Sequence, residues 1–494
     1  MRNPASPATG LRHEPLNDLR THQQHELKSG RRRSAGQSAE VLEPQATDTG
    51  LRLAGLLPWI FPVLLAVPAL DVLFSGRDLA DSLVALEAVE SVSRSALVDW
   101  LQRGASLLLL VASLEQIVHH ALRRLPVCLP LVSAFGLYWV GSVALPAAFG
   151  ANPTFSHELL YAPATGLACC LATPQEQDRI VQLARDALAL LLLAGLALLA
   201  WQPTLVADVG YSAGLLPGLP RLAGLTPHAV TQGLLAQVFL LLLWVRPYRR
   251  PLADYAAWAL GLTVLVMAQS KTAWLAFALC ALALLVVRQG PALRQRLNDP
   301  SRAGPLVAAC AALCLAIAVG AAALLSGALD QRAADFMASE QGAQLLSLTG
   351  RDRIWAAAIE EWRQNPVFGY GLSLWDAAYR HAIGLPHATH AHNQWLDDAA
   401  RAGSVGVTAL VIYAAVLLTL CVRHARASGG LAMALGLTLA LRAVGEVPLS
   451  LLGYGTELFV HLLLVATLAA AAFPGGKDAP RTPAINAVPR GTGA

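Results

Sequence analysis

The sequence predicts an all-α, polytopic integral membrane protein. Hydrophobic residues make up 55% of the 494-residue chain and charged residues 14%, with a mean hydropathy of +0.50. A soluble domain carries roughly 25% charge, so the excess of Leu, Ala and Val needs lipid to cover it. About twelve runs are long enough to cross a bilayer core of about 30 Å as helix. Between them, Arg residues collect in alternate loops, the pattern that sets membrane orientation.

Residues 1–50 are polar, rich in Arg, Gln, Ser and Pro, and read as a disordered cytoplasmic tail. No short apolar core with a small-residue cleavage site lies near Met1, so the tail is not read as a signal peptide. The predicted spans lie near 53–74, 97–118, 127–149, 158–173, 181–201, 229–245, 252–268, 272–287, 304–326, 404–422, 431–447 and 456–473. The second carries Asp99, Arg103 and Glu115, and the fourth is short. This divides the chain into a tail (1–50), helices one to nine (51–326), a large outer loop (327–403), helices ten to twelve (404–473) and a second cytoplasmic tail (474–494).

With the amino terminus inside, the inner loops hold Arg123 and Arg124, Arg179, Arg246 with Arg249 and Arg250, Arg288 to Arg302, and Arg423 with Arg426. The outer loops 150–157 and 448–455 hold no Lys or Arg. Both termini are therefore expected in the cytoplasm, and the long loop on the periplasmic side. The seven cysteines lie in or beside apolar runs without metal-ligand spacing, and are read as small helix-packing residues.

The long loop contains Trp355, Trp362, Phe368, Tyr370, Trp375, Tyr379 and Trp395, enough to pack. Thr349 and Asp352 have the spacing of a helix cap, and Trp355, Ile359 and Trp362 then form one apolar face. Pro366 stops that helix, and Gly369 and Gly371 turn the chain. Arg351 falls in the first helical turn, where free N–H groups favour an anion. Asn393 can cap a second short helix through Arg401, and Gly403 suits the position after its end.

Thr349-Gly350-Arg351 with Trp355, Asn365-Pro366 with Gly369-Tyr370-Gly371, Ala391-His392-Asn393 with Leu396, and Ala402-Gly403 with Gly406 occur in that order. This series resembles the O-antigen ligase and O-antigen polymerase superfamily. Arg221 to Gly224 with His228, and Ser270-Lys271-Thr272, are similar to two upstream family segments. The likeness runs from about 180 to 425. It implies a membrane glycosyltransferase that takes a glycan from a polyprenyl diphosphate carrier. The acceptor would be a hydroxyl on lipid A-core (a ligase) or on another carrier-linked repeat unit of O-antigen or exopolysaccharide (a polymerase). No metal, cofactor or nucleic acid is implied, and the chain shows no Asp-x-Asp motif, P-loop or Rossmann glycines.

By the same resemblance, Arg351 clamps the diphosphate, with Lys271 and Arg221 as further ligands. Charge grows on that leaving group as the glycosidic bond breaks, and a guanidinium fork binds phosphate bidentately. Lys271 replaces an arginine usual in the family, keeping the charge but losing the fork. His392 is the candidate general base, with a ring suited to take the acceptor proton near neutral pH. Tyr370, Trp375 and Asn393 are candidates for the acceptor or sugar surface, with loop packing equally open for the aromatics. A zinc reading of His387, His390 and His392 is disfavoured, because no Cys or carboxylate set completes a tetrahedral site. Arg442 with Glu446, and Glu457 with His461, are each spaced by four residues and read as helix-orienting polar pairs or as a wall of the acceptor cavity. A transporter would show polar groups at mid-membrane and repeated halves, and neither pattern is present here. A non-catalytic assembly protein would tolerate loss of Arg351 and His392.

Overall fold

The structure is a computed structural model that describes residues 55–79, 96–211, 216, 218–297, 351–386 and 388–473. The expected span 304–326, both tails, residues 327–350 with the Thr349 cap, and His387 lie outside the described residues.

A 3-10 turn, Leu57–Trp59, leads into α1 (Ile60–Phe74). Helix α2 (Ala96–Arg123) follows, then α3 (Leu129–Trp139), a π turn over Val140–Ala144, and α4 (Leu145–Phe149). Next come α5 (Tyr161–Cys170), α6 (Pro174–Leu198) and the four-residue α7 (Pro203–Val206). Two short antiparallel strands, β1 (Ala207–Asp208) and β2 (Arg221–Leu222), pair Ala207 with Leu222 and Asp208 with Arg221. After them run α8 (Ala229–Val245), α9 (Pro251–Met267) and α10 (Lys271–Leu297). The long loop supplies α11 (Arg351–Gln364) and α12 (Ala377–Ala382), and the chain ends its described part with α13 (Gln394–Arg423), α14 (Leu431–Arg442) and α15 (Thr456–Ala472).

Among the described residues, six helical stretches are long and apolar enough to cross a membrane, and four shorter apolar helices accompany them. The expected fourth span is a ten-residue α5 behind a 3-10 turn, about 15 Å of helix, half a bilayer core. Helices α8 and α15 are buried around nearly their whole circumference and form the centre of the bundle. Helix α2 instead exposes Trp100, Leu107, Leu108 and Leu122, apolar surface suited to lipid. The start of α6 carries a capping box, in which the Thr173 N–H donates to Glu176 Oε2 at 2.8 Å.

Two buried arginines tie the ends of the bundle. Arg77 is 3% exposed and donates to the carbonyls of Leu205, Gly224, Thr226 and Pro227 at 2.7–3.0 Å, pinning the segment that carries Arg221. Burial lowers its pKa to about 10, so it stays charged at neutral pH. At the opposite end Arg185 donates to the carbonyls of Arg246 and Pro247, and Arg288 to those of Trp244 and Gly429.

The Asn-Pro-x-x-Gly-Tyr-Gly strip is held between two backbones. On one side Ala151 N–H donates to Gly369 O and Asn152 N–H to Tyr370 O. On the other, Tyr370 N–H donates to Ala400 O, Gly371 N–H to Arg401 O and Ser404 N–H to Pro366 O. Gly403, at φ 64°, breaks α13 where the sequence placed the end of a short helix. A Cβ there would lie 2.3 Å from Val367 O, and one on Gly369 2.4 Å from the Arg401 carbonyl carbon. Gly403→Ala is therefore expected to destabilise the fold by about 2 kcal/mol or more, read as a lowered melting temperature of the solubilised protein. Gly104→Ala, whose Cβ meets nothing within 4 Å, should leave that temperature unchanged or slightly raised.

Candidate functional site

The candidate residues collect at one end of the bundle, where α8, α10, α11, α13 and α15 begin. His392 occupies the turn before α13 with a left-handed backbone, φ 47°. That conformation costs a non-glycine residue about 1–2 kcal/mol, so its surroundings must impose it. The His392 N–H donates to His390 Nδ1 at 3.0 Å. Asn393 then caps α13, its Oδ1 accepting from the N–H groups of Trp395 (3.0 Å) and Leu396 (3.1 Å). Ala391 N–H donates to Asp397 Oδ1 at 2.9 Å, and Ala391 O accepts from Trp355 Nε1 at 2.9 Å.

His392 Nδ1 lies 3.2 Å from Glu446 Oε2. Burial would raise the Glu446 carboxyl, but the His392 hydrogen bond and the charges of Arg442 and the two histidines outweigh it and hold its pKa at about 2. An ionised carboxylate only accepts, so Nδ1 carries the ring proton and Nε2 the free lone pair. His390 Nε2 lies 3.4 Å from the same oxygen. Its Nδ1 is already an acceptor, so its proton also faces Glu446. Loss of solvent around the ring and the neighbouring His392 lower the His390 pKa to about 4. On the other carboxylate oxygen, Arg351 Nη2 stands 3.6 Å away, with its guanidinium against Gly445. Arg351 is the first residue of α11, as its sequence position predicts.

Arg221 lies on β2 with its guanidinium 4.6 Å over the Tyr211 ring, and its Nε is buried without a partner among the described residues. His228 caps α8, accepting from Val230 N–H, and feels the charges of Arg221, Glu446, Arg442 and His392. Lys271 is the exposed first residue of α10, with no side-chain partner among the described residues. Its turn reaches the Arg221 segment through Gln269, which donates to Leu219 O at 2.8 Å. The geometry thus joins His392 and Arg351 through Glu446, with Arg221 nearby. Lys271 stands at the rim.

The acceptor-surface candidates are placed differently. Trp375 is 4% exposed and donates from Nε1 to Asp397 Oδ1 at 3.0 Å, inside the loop's own core. Tyr370 is half-buried, its ring 4.8 Å from that of Tyr379. The Asn393 side chain is engaged on both sides, since its Nδ2 also donates to Val444 O at 3.3 Å.

Two polar pairings differ from those expected by spacing. Helix α14 stops at Arg442, so Glu446 lies in the loop beyond it and turns to the histidines. Arg442 instead pairs with Glu457 across α14 and α15. His461 does not meet Glu457; its Nε2 lies 2.7 Å from the Tyr413 hydroxyl in the buried centre. Sequence spacing singled out Glu446 but paired it with Arg442; its contact with His392 was missed, because a separation of 54 residues leaves no periodicity to reveal it.

Glu446 also supplies the carboxylate that the histidine run lacked. One donor atom each from His390, His392 and Glu446 lies within 4.8 Å of the others, a set that could hold a metal ion. In the present geometry the protons of His390 and His392 fill that space, and His390 could ligate through Nε2 only by moving its proton to Nδ1. That would sacrifice the His392 N–H bond.

The depressed His390 pKa carries a stability consequence. Between pH 6.5 and about 4 the unfolded chain binds this proton and the folded chain does not, so stability falls as pH drops through that window. His390→Gln should flatten the decline in melting temperature across it; an unchanged slope would assign the decline to other groups.

Residues 256–411 match the family model described as O-Antigen ligase, a stretch that runs from α9 into α13 and includes Lys271, Arg351 and His392. No curated protein matches the chain. Over this stretch, about a third of its length, the chain is thus similar to the O-antigen ligase family.

Proposed function

We propose that this protein is an O-antigen ligase-like glycosyltransferase working at the periplasmic face of the bacterial inner membrane. It moves a glycan from a polyprenyl diphosphate carrier to an acceptor hydroxyl. The observation that carries the reading is the Glu446 carboxylate set between His392 Nδ1 and Arg351. It fixes the tautomer that leaves His392 Nε2 free to accept a proton, the orienting role a carboxylate plays for a catalytic histidine.

In the proposed step His392 Nε2 takes the acceptor hydroxyl proton. The oxygen attacks the anomeric carbon from the face opposite the carrier, a new C–O bond forms, and the bond to the carrier diphosphate breaks with inversion. Arg351, Arg221 and Lys271 meet the charge growing on the leaving diphosphate. Only one face of the Arg351 guanidinium is used by Glu446, which leaves donors for phosphate. The periplasmic assignment draws on charge: Arg246, Arg288, Arg423 and Arg426 lie at the end of the bundle away from the site.

Two outcomes test this reading. A deletion strain complemented with His392→Ala should behave as the uncomplemented deletion on a lipopolysaccharide gel, with the variant still in the membrane. Bare core together with accumulated carrier-linked polymer supports a ligase with a lipid A-core acceptor. An unchanged ladder with loss of a secreted polysaccharide supports the polymerase activity instead, and wild-type glycan from His392→Ala removes the histidine as base. For the diphosphate, Lys271→Arg should keep turnover within about threefold, whereas Lys271→Ala should weaken donor KM by about tenfold. Inactive Lys271→Arg would argue against a phosphate contact there.

A further inference from the structure

We infer that Gln394 is a positioning residue for this transfer, holding Glu446 against His392; the inference rests on the reading just proposed. Glu446 sits in the middle of residues 443–449, the first part of the irregular connection from α14 to α15. That segment is fastened at both ends by the residues immediately after His392. Gln394 N–H donates to Ala443 O at 3.0 Å, and Asn393 Nδ2 to Val444 O at 3.3 Å. At the far end Leu449 N–H donates to Gln394 Oε1 at 2.9 Å. The carboxylate and the histidine it orients are therefore referenced to the same helical turn.

Gln394 is suited to this because its amide has one allowed orientation. A backbone N–H only donates, so Oε1 must face Leu449. The other amide atom, Nε2, then donates to Asp398 Oδ2 at 2.8 Å and to the Tyr138 hydroxyl at 3.3 Å. Gln394 and Tyr138 are 1% exposed, and Asp398 is 5% exposed. These groups line a polar cavity of about 10 Å³, the size of one water, with Ser142, Val447 and Ser450. Buried and satisfied on every side, the amide cannot rotate without stranding a polar group. Losing it would free the Leu449 end of the segment and let the Glu446 carboxylate drift from a 3.2 Å contact.

The test uses full-length protein in lipid nanodiscs. The substrate is undecaprenyl-diphosphate-linked glycan extracted from the deletion strain, with that strain's lipid as acceptor source, and released carrier is measured. Gln394→Leu should lower kcat about tenfold or more and leave donor KM within about twofold. Combined with Glu446→Gln it should cost nothing further, because both changes remove one contact. Gln394→Glu keeps the acceptor for Leu449 but sets a carboxyl against Asp398. The two can share only one proton, so its activity should fall as pH rises. Adding Asp398→Asn restores a donor to that pair and should return kcat to within about threefold of wild type.

A Gln394→Leu loss that multiplies with that of Glu446→Gln overturns the inference, as does wild-type kcat in Gln394→Leu. If Gln394→Leu fails to fold, the Gln394→Glu, Asp398→Asn pair decides, and absence of rescue overturns it. Full turnover in both His392→Ala and Glu446→Gln would instead defeat the proposed function, which keeps the two failures distinct.

Discussion

The site depends on one carboxylate held ionised in a poorly hydrated place. Glu446 accepts from His392 and His390 on one oxygen and faces Arg351 with the other. Each partner would be worse placed alone. The histidine would lose the bond that defines its tautomer, and the arginine would stand at a helix start where the dipole repels it. Together the partners stabilise the negative charge that burial opposes, which is why the carboxyl pKa falls despite partial burial. The left-handed backbone of His392 belongs to the same arrangement, since it aims the ring at a residue two transmembrane elements away.

That carboxylate can be held only because several backbones approach within van der Waals contact. Gly403 and Gly369 let the loop strip cross α13, and Gly141 and Gly406 let the π turn lie against the same helix. The family-like glycines among the described residues, Gly224, Gly369, Gly371, Gly403 and Gly406, are thus explained by space rather than chemistry: each marks a place where a Cβ would meet backbone or a neighbouring side chain. The aromatic residues of the long loop fill the space above. Trp375, Tyr379 and Leu374 form a small core of their own, and Trp355 reaches from α11 to the Ala391 carbonyl. The loop behaves as a packed cap on the bundle, which gives His392 and Arg351 fixed supports.

Charge is sorted along the bundle axis. Arg185 and Arg288 anchor backbone carbonyls at one end, and Arg77 anchors others at the opposite end, beside the arginines and histidines of the site. Among the described residues, the buried centre holds such polar pairs as Tyr413 with His461 and Gln237 with Thr438. The concentration of ionisable groups at one end suits the proposed transfer, in which the lipid tail of the carrier would stay in the bilayer and its diphosphate at the surface.

Most of the helical pattern was determined by sequence alone, because about 20 apolar residues in a row have one stable solution in lipid. The local devices of the loop were equally legible. The start of α11 at Arg351, the turns at Gly369 and Gly371, the Asn393 cap and the break at Gly403 are set by interactions within a few residues. Short-range rules failed where a long-range contact outweighed them. Arg442 and Glu446 have helical spacing, yet α14 ends first, and the carboxylate finds better partners in the loop than the guanidinium four residues back. The length of α5, the burial of Trp375 and the tie from Gln394 to Leu449 likewise follow from which segments meet. Tertiary structure alone decided what stands beside His392, because a hydrogen bond between residues 54 apart is specified by the packing of whole helices and leaves no local trace in the chain.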